Sequence, residues 1–256
     1  DQFSGFTALW PPTGFSDSFI GSENNRRFVI ESIPVMSRLY LIDGNSQMYR
    51  AYHAIRDLTG PDGRSTNAVY GFVTMLRKLI SKHKPDYIAA AFDVAGPTFR
   101  TEIESSYKAN RPEMPEDLVE QVPLVHESCR ALGVPVLTLP GYEADDLIGT
   151  LTERATKKGM AVVIVTGDKD FFQLVSDSVK VYNPKDNGTW YDAAEVQKKF
   201  GVKPSQVVDV LSLMGDSSDN IKGVPGIGEK GARELITNYG SLEDLLSNIE
   251  LITKKK

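Results

Sequence analysis

The sequence predicts an α/β fold with a mostly parallel central sheet and helices on both of its faces. Short apolar runs of strand length alternate along the chain with amphipathic helical patterns, as expected for crossover units. Three of these runs, at 38–42, 87–92 and 161–165, end beside acidic residues. Because open α/β sheets bind ligands at the carboxyl ends of their strands, these acids indicate a candidate site.

Composition narrows the class of protein. The chain has 256 residues and is 41% hydrophobic, enough for a substantial core. The single cysteine, Cys129, excludes an internal disulfide and a cysteine zinc cluster. Its helical context predicts a buried structural thiol, which fits a reducing, intracellular compartment. No apolar run approaches the ~18 residues of a membrane span, so we expect no membrane partner.

Residues 1–35 differ from the rest, because Phe, Ser, Gly and Pro are scattered there without a period. They lack the pattern of a secretory signal, and their acids argue against a transit peptide, although an organelle-targeting segment is the alternative. We predict a poorly ordered extension at 1–35, an α/β core at 36–192 and a helical region at 193–256 within the same compact domain.

Apolar periodicity predicts the order of the core elements. The most apolar run, 161–165, is expected to be a central strand, and two short runs around the turn at 185–188 are candidate edge strands. In chain order, the predicted elements are a strand at 38–42, helices at 46–55 and 66–82, a strand at 87–92, a helix at 124–132, a strand at 134–139, a helix from 144 to about 159, and strands at 161–165, 179–182 and 189–191.

The segment 95–122 has a weak apolar period, three prolines, and cations mixed with acids. From pattern alone, a solvated surface excursion is the favoured interpretation. The functional alternative is a mobile arch whose cations meet phosphates and whose tyrosine, Tyr107, stacks on a base.

The C-terminal region is predicted to be helical, with a helix at 207–214 and another that ends at Gly240. A glycine-rich turn opens this second helix, and glycines let backbone N–H groups approach a phosphate. Such a turn is a weak signal alone, but nearby cations strengthen it. A capping-box-like Ser241 begins a last short helix. The glycines and cations of the turn are Gly223, Gly226, Gly228, Lys222, Lys230 and Arg233.

Three carboxylates crowd the stretch Gly141–Asp146 at the start of a helix. Alone, this stretch is equally compatible with a solvated acidic first turn, because the helix dipole favours acids there. Other acidic motifs favour a shared cation site, because so many unneutralised carboxylates would repel one another. Without the nine acids the net charge of −5 becomes +4, so the acidic balance is compatible with an anionic partner held through cations. The nine acids are Asp43, Asp93, Glu143, Asp145, Asp146, Asp168, Asp170, Asp216 and Asp219.

Oxygen-only ligands suit Mg²⁺ or Mn²⁺ rather than zinc. The histidines His53, His83 and His126 have no ligand spacing, so we expect them to be structural. Neither a Ser-His-Asp order nor a Walker-type loop is apparent. Two-metal hydrolysis of a phosphodiester therefore remains, in which one ion activates a water and both stabilise the reacting oxygens.

The acidic motifs and the glycine turn together resemble the 5′-nuclease domain of bacterial DNA polymerase I, in the flap-endonuclease superfamily. The resemblance covers residues 37–250, with every motif in family order. It implies a 5′→3′ exonuclease and flap endonuclease that acts, as a monomer, on DNA with 5′ flaps, nicks or junctions in replication and repair. Polymerase modules are not encoded, so we expect either a fragment or a stand-alone nuclease. The motifs are Ile42-Asp43-Gly44, Phe92-Asp93, Gly141–Asp146, Thr166–Asp170, Gly215–Ile221 and Gly223–Gly228.

The resemblance also implies roles for single residues. Asp43, Asp93, Glu143 and Asp145 would hold one metal ion, with Asp146 close by, and Asp168, Asp170, Asp216 and Asp219 would shape the second site. Arg100, Lys108 and Arg111 match catalytic cations of a helical arch, and Tyr49 and Arg50 match DNA contacts. The glycine turn, with Gly223, Gly226, Gly228 and Lys230, matches a helix–hairpin–helix element that grips duplex phosphates, commonly with K⁺.

Two rival functions are weighed against this one. A non-catalytic module that binds DNA junctions could use the same hairpin and arch, but it gains nothing from acids that face phosphates. A ribonuclease of the related small nuclease fold is the other rival. The glycine hairpin and the long segment 95–122 favour DNA junctions over it.

Overall fold

The computed structural model describes residues 36–185 and 188–251, so the predicted extension at 1–35 lies outside the described residues. Its centre is a six-stranded sheet in the order β3-β2-β1-β4-β5-β6. A separate two-stranded hairpin, β7-β8, belongs to the C-terminal region. The strands are β1 (Arg38–Asp43), β2 (Tyr87–Ala91), β3 (Val136–Leu137), β4 (Ala161–Val165), β5 (Val179–Asn183), β6 (Thr189–Tyr191), β7 (Gly215–Asp216) and β8 (Ile221–Lys222).

The large sheet is parallel except for its last strand, which confirms the predicted fold class. Strand β1 pairs in parallel with β2 and with β4, so Ile42 lies between Ala90 and Val165. The prediction that both 179–182 and 189–191 are edge strands was half wrong. Strand β5 pairs with β4 and with β6, and only antiparallel β6 lies at the edge. The exposed Lys180 gives β5 the polar alternation of an edge strand although its other side chains are mostly buried.

Helices cover both faces of the sheet, and alternate side chains of β1 point to the two faces. Leu41 packs in one core with α6 and the C-terminal helices, and Tyr40 packs in the other with α1, α2 and α5. The helices are α1 (Gly44–Ala54), α2 (Asn67–His83), α3 (Phe99–Ile103), α4 (Glu116–Val119), α5 (Val122–Ala131), α6 (Ala144–Lys157), α7 (Ala193–Phe200), α8 (Val207–Met214), α9 (Glu229–Tyr239) and α10 (Leu242–Ser247).

Most residues of the segment 95–122 are exposed, as its pattern favoured, but the segment is anchored in the core near its end. It contains only the short helices α3 and α4, but Leu118 is fully buried in the core beside α2 and α5. Gln121 is fully buried as well, and its Oε1 accepts hydrogen bonds from Ala68 N (2.9 Å) and Val69 N (3.2 Å). Gln121 therefore caps the first turn of α2, where Thr66 supplies no side-chain cap. One apolar and one polar residue thus anchor the segment, while Ile103 and Val119 stay exposed, so a search for apolar periodicity does not find the anchors.

The C-terminal region presents the glycine turn between β8 and α9. Helix α9 begins after Gly228 and ends at Gly240, which has a φ of 93° and caps the helix as predicted. Ser241 accepts a hydrogen bond from Asp244 N (3.0 Å) and begins α10, also as predicted. None of the helices in the described parts of the chain is both long and apolar enough to cross a membrane.

Candidate active site

Three adjacent parallel strands deliver acids to one edge of the sheet. Asp43 ends β1, Asp93 follows β2, and Asp168 follows β4, which pairs with β1. Asp43 is buried, and its carboxylate accepts hydrogen bonds from Ser46 N (3.0 Å) and the Thr166 hydroxyl (2.7 Å). The strand order therefore brings these carboxylates together, as we expected from acids at strand ends.

Helix α6 begins at the same edge and contributes two more acids. Its first residue, Ala144, donates its N–H to Asp93 (2.7 Å), which ties the helix to the end of β2. Glu143 is the buried N-cap residue, and Asp145 lies in the first turn. Both side chains reach the cleft that the strand-end acids line.

Asp146 has a different role from its neighbours. Its carboxylate accepts the backbone N–H of Glu143 (2.9 Å) and thereby caps α6. Arg100 grips it with two hydrogen bonds, of 2.7 and 2.8 Å. These hydrogen bonds lower the pKa of Asp146 against the opposing effect of burial. Asp146 does not line the cleft of the other acids but lines the second cavity described below, and its contacts in this structure stabilise the start of α6.

The cleft is a cavity of about 460 Å³. The loop 215–220, between α8 and β8, supplies its last wall, and there Asp216 accepts a hydrogen bond from Ser218 N (2.7 Å). Eight of the nine predicted acids line this cavity: Asp43, Asp93, Glu143, Asp145, Asp168, Asp170, Asp216 and Asp219.

Crowding raises the affinity of several of these acids for protons. Loss of water around Asp145, together with the charges of Asp43, Asp168 and Asp93, raises its pKa to about 8. Because Asp145 is still exposed to solvent, we attribute its raised pKa mainly to repulsion from the other carboxylates. Burial raises the pKa of Asp43 to about 6, and burial with repulsion from Asp168 raises that of Asp170 to about 6.

A second, larger cavity of about 870 Å³ lies on the other side of the acids. Four carboxylates line both cavities: Glu143, Asp145, Asp170 and Asp219. The second cavity also has apolar walls, from Ile103, Phe171 and Leu174 among others. The acids therefore stand where the two cavities meet.

The turn 104–111 within the segment 95–122 closes onto the acids. The Lys108 ammonium lies 2.6 Å from Glu143, and Arg111 forms an ion pair with Asp219. The Tyr107 hydroxyl lies 3.1 Å from Glu143 and 3.0 Å from Asp219. Burial and these two carboxylates raise the pKa of Tyr107, so its hydroxyl keeps its proton. The four proposed arch residues, Arg100 included, thus all contact acids.

The expectation that Tyr107 stacks on a base does not fit this arrangement. Its ring is only 8% exposed, and the ammonium of Lys108 lies 4.9 Å from the ring centroid. The two carboxylates near its hydroxyl hold the ring inward. Tyr107 could present its ring to a base only if the turn moved away from Glu143 and Asp219.

The chemistry of the cleft fits divalent cations. Its donors are carboxylate oxygens, and Asp170 has a buried Oδ1 atom without a hydrogen-bond partner. Within the described ranges, however, no three acidic, histidine or cysteine side chains already stand in the arrangement of a closed metal site. The turn 104–111 explains part of this, because it holds Glu143 and Asp219 on cations and on a phenol.

The proposed DNA contacts lie in three places. Tyr49 lines the acidic cleft, whereas Arg50 lies beside Gln47 in a groove between α1 and α2. Lys230 is exposed at the start of α9. Another cation of the glycine turn is already occupied, because Arg233 pairs with Glu229 and packs over the ring of Phe200.

The three glycines of the turn differ in what they require. Gly226 has a φ of 83°, and a Cβ on Gly223 would collide with backbone atoms of Met214 and Gly215. The protein's own backbone does not require glycine at 228, because its φ is −91° and a Cβ would meet nothing within 4 Å. Any need for glycine at 228 must therefore come from a ligand outside.

Sequence reasoning assigned no role to four polar residues of the site. Thr166 and Asn45 hold acids in place, since Asn45 accepts a hydrogen bond from Asp93 N (3.1 Å). Both stand within the Asp-Gly-Asn and Thr-Gly-Asp motifs, so proximity to an acid was the available signal. Asn110 and Asn220 join distant segments; Asn220 stands within the motif at 215–221, and no local pattern marks Asn110.

Comparisons with known proteins identify the family of this chain. A family model described as the 5′-3′ exonuclease, N-terminal resolvase-like domain, matches residues 38–201. A second, the 5′-3′ exonuclease, C-terminal SAM fold, matches residues 202–256. The chain is 44% identical over 215 residues to a 5′-3′ exonuclease of Aquifex aeolicus (strain VF5), covering 84% of this chain and 74% of that protein.

DNA polymerase I of Pseudomonas aeruginosa PAO1 is 47% identical over 215 residues, which are 84% of this chain but only 23% of the polymerase. The chain thus spans about a quarter of such polymerases. Among solved structures, the fold is similar to T5 5′-exonuclease bound to zinc ions, with a TM-score of 0.73, 23% identity, and coverage of 85% of this chain and 81% of that one.

The catalytic core of Rad2 in complex with DNA substrate is more distant, with a TM-score of 0.52, 21% identity, and coverage of 86% and 70% of the two chains. Both family models lie in the order that the sequence motifs predicted. The resemblance to the 5′-nuclease domain of bacterial DNA polymerase I is therefore confirmed, and the chain belongs to the 5′-3′ exonuclease family of nucleases.

Proposed function

We propose that this chain hydrolyses DNA phosphodiesters from 5′ ends and at 5′ flaps, nicks and junctions, with two divalent ions bound in the acidic cleft. The observation that carries the proposal is the convergence of eight carboxylates on one cavity at the carboxyl ends of parallel strands. Solved relatives with this fold were obtained with metal ions or with DNA, which supports the same partners here.

Divalent ions would be held by two groups of acids. Asp43, Asp93, Glu143 and Asp145 suit one ion, and Asp168, Asp170, Asp216 and Asp219 suit the other. Bound there, Mg²⁺ or Mn²⁺ supplies an activated water and stabilises the attacking and leaving oxygens. Asp146 is left out of this proposal for the ions, because it caps α6 and binds Arg100.

The remaining residues bind and orient the nucleic acid. Lys108 and Arg111 are the cations nearest the acids, so they are suited to hold the scissile phosphate once their side chains release Glu143 and Asp219. The N–H groups around Gly226 and Gly228, with Lys230, are suited to grip duplex phosphates, with K⁺ as a further candidate. The second cavity shares four carboxylates with the cleft and offers room for nucleotides next to the scissile phosphate.

A cleavage assay tests the proposal directly. Labelled 5′-flap, nicked, blunt and single-stranded DNAs, with matched RNA strands, are incubated with Mg²⁺, Mn²⁺, Ca²⁺ or EDTA. We expect Mg²⁺-dependent release of 5′ nucleotides or short flaps, with flap and nicked DNA cleaved fastest. Binding to flap DNA without any cleavage would favour the junction-binding rival, and preferential cleavage of RNA would favour the ribonuclease. Sedimentation with and without DNA tests the expectation that the protein acts as a monomer.

A further inference from the structure

Three hydrogen bonds in register join the turn 104–111 to the loop 215–220, beside the side-chain contacts of Arg111 with Ser218 O and Asp219 and of Tyr107 with Asp219. Asn220 donates its side-chain amide to Ser106 O (2.7 Å), Lys108 N donates to Asp219 O (2.9 Å), and Asn110 donates its amide to Ser217 O (2.8 Å). Residue numbers rise on one side as they fall on the other, as in an antiparallel strand pair. The two outer hydrogen bonds therefore come from asparagine side chains, and the central one joins the two backbones. We call the three hydrogen bonds the rungs of a strip that joins the two segments.

The backbone of this strip is strained on both sides. Lys108 has a φ of 55° and Asn220 has a φ of 57°. Asparagine adopts this left-handed region readily, but lysine does so at a cost, which persists only where the surroundings enforce it. The central rung and its two asparagine neighbours are the contacts that hold Lys108 in this conformation, with its ammonium against Glu143.

The strip joins the two halves of the candidate site. One side carries Lys108 and Arg111, and the other carries Asp216 and Asp219. A hydrogen bond between the segments therefore sets the spacing between cations for a phosphate and acids for a metal ion. Neither asparagine lines the acidic cleft; Asn110 lies outside both cavities, and Asn220 lines only the second one.

We propose that Asn110 and Asn220 are positioning residues that bind the turn 104–111 to the loop 215–220, so that catalytic cations and second-site acids move as one unit. The proposal rests on the function proposed above. It implies that the unit swings on the rest of the protein when DNA and ions arrive, while the spacing within it stays constant.

Hydrogen exchange without DNA or ions provides the first test. Asn220→Gly keeps the left-handed backbone accessible and removes only the amide, and Asn110→Ala removes the other outer rung. Each variant should speed amide exchange in both 106–111 and 216–220, whichever side carries the substitution. Asn248→Ala is the matched control, because Asn248 also donates its amide to a backbone oxygen (Asp244 O, 2.8 Å) but lies far along the chain in α10's C-cap. Faster exchange only on the substituted side would overturn the proposal.

Single-turnover cleavage of flap DNA provides the second test. At saturating DNA, each asparagine variant should cleave on the order of ten-fold more slowly, with DNA affinity changed much less, because alignment rather than contact is lost. The double variant should lose less than the product of the two effects, since both rungs hold one unit. Loosened exchange with a wild-type cleavage rate would also overturn the positioning role.

The two proposals fail in different ways. If the wild-type chain cleaves none of the tested substrates, the proposed function is wrong, and the exchange experiment alone decides the coupling. Coordinated exchange in both segments would then support a single unit, and independent exchange would refute it. If the wild type cleaves DNA and the asparagine variants behave like Asn248→Ala, only the positioning role is lost.

Discussion

The ammonium of Lys108 lies 2.6 Å from Oε1 of Glu143, so a cation of the turn 104–111 neutralises an acid of the metal cleft. A divalent ion that binds Glu143 must compete with this contact. The same atoms therefore link ion binding to release of the turn. Removal of Lys108 should strengthen ion binding but weaken the grip on the scissile phosphate, so it separates these two effects.

Lys108→Ala should bind Ca²⁺ more tightly in the absence of DNA, by roughly 2–10-fold, because Glu143 loses a competing cation. The same variant should cleave flap DNA more slowly at saturating substrate, because the scissile phosphate loses a cation. Calorimetric titration with Ca²⁺ and single-turnover cleavage in Mg²⁺ check the two parts. Lys157→Ala, which breaks an exposed pair with Glu153, is the control. Unchanged or weaker Ca²⁺ affinity would contradict the competition.

Two adjacent acids should give opposite results when neutralised. Asp145→Asn should lower turnover on the order of 10³-fold and leave flap binding largely intact, because ions in the cleft stabilise the transition state. Asp146→Asn should instead lower the free energy of unfolding by about 1–2 kcal/mol, through the cap of α6 and the pair with Arg100, and affect turnover less.

Denaturant titrations and steady-state cleavage separate these two outcomes. Asp177→Asn, a substitution of an exposed acid outside the cleft, should change neither quantity. Near-wild-type turnover in Asp145→Asn would sink the two-metal interpretation. Equal loss of turnover in both variants would return Asp146 to the ion site.

The ion-free protein should lose stability as pH rises. The pKa of Asp145 is raised to about 8, and those of Asp43 and Asp170 to about 6, above the value near 4 that a carboxyl has in the unfolded chain. Between these pH values the unfolded state binds fewer protons than the folded state, so the free energy of unfolding falls. The decline should begin near pH 4, be steepest up to pH 6, and end near pH 8.

Thermal unfolding in EDTA across this range checks the decline, and millimolar Mg²⁺ should restore most of the loss at pH 8. Asp145→Asn should flatten the part of the curve between pH 6 and 8. A melting temperature that rises from pH 5 to 8 in EDTA would show that the carboxylates do not repel one another as their positions imply.

Substitutions at the three glycines of the turn should differ in their cost to stability and in their effect on DNA binding. Gly223→Ala should cost about 1–3 kcal/mol of stability because of its backbone collision, and Gly226→Ala about 1–2 kcal/mol because of its positive φ. Gly228→Val should fold normally, since its surroundings are open, and yet bind duplex DNA more weakly. Fluorescence anisotropy across a salt series checks the binding. Wild-type duplex affinity in Gly228→Val would assign the turn to packing alone.

Local patterns predicted the parts of this molecule that depend on neighbours in sequence. The acids Asp43, Asp93 and Asp168 follow apolar strands, so strand order alone brought them together. Tyr107 could not be oriented this way, because its two carboxylate partners are 36 and 112 residues away. Asp146 could not be distinguished from Asp145 by sequence, because both stand in one acidic run and the contact with Arg100, 46 residues away, separates them only in the structure.

Burial in the segment 95–122 also depends on distant partners. Gln121 is a polar residue that no hydrophobic pattern would place in a core, yet it is fully buried between α2 and Asp117. Its burial is tolerable because each of its polar atoms has a partner: Nε2 donates to Asn67 Oδ1 (3.0 Å) and to Asp117 O (3.0 Å).

Because Gln121 caps α2, the segment 95–122 cannot be exchanged as an independent unit. A chimaera that swaps residues 95–122 for those of a relative would also remove the acceptor for Ala68 and Val69, and would fray a helix that it never touched in sequence. A crossover point before residue 116 would keep the parental sequence in α4 and at Gln121. The C-terminal boundary at which the segment tolerates exchange therefore lies inside it rather than at its end.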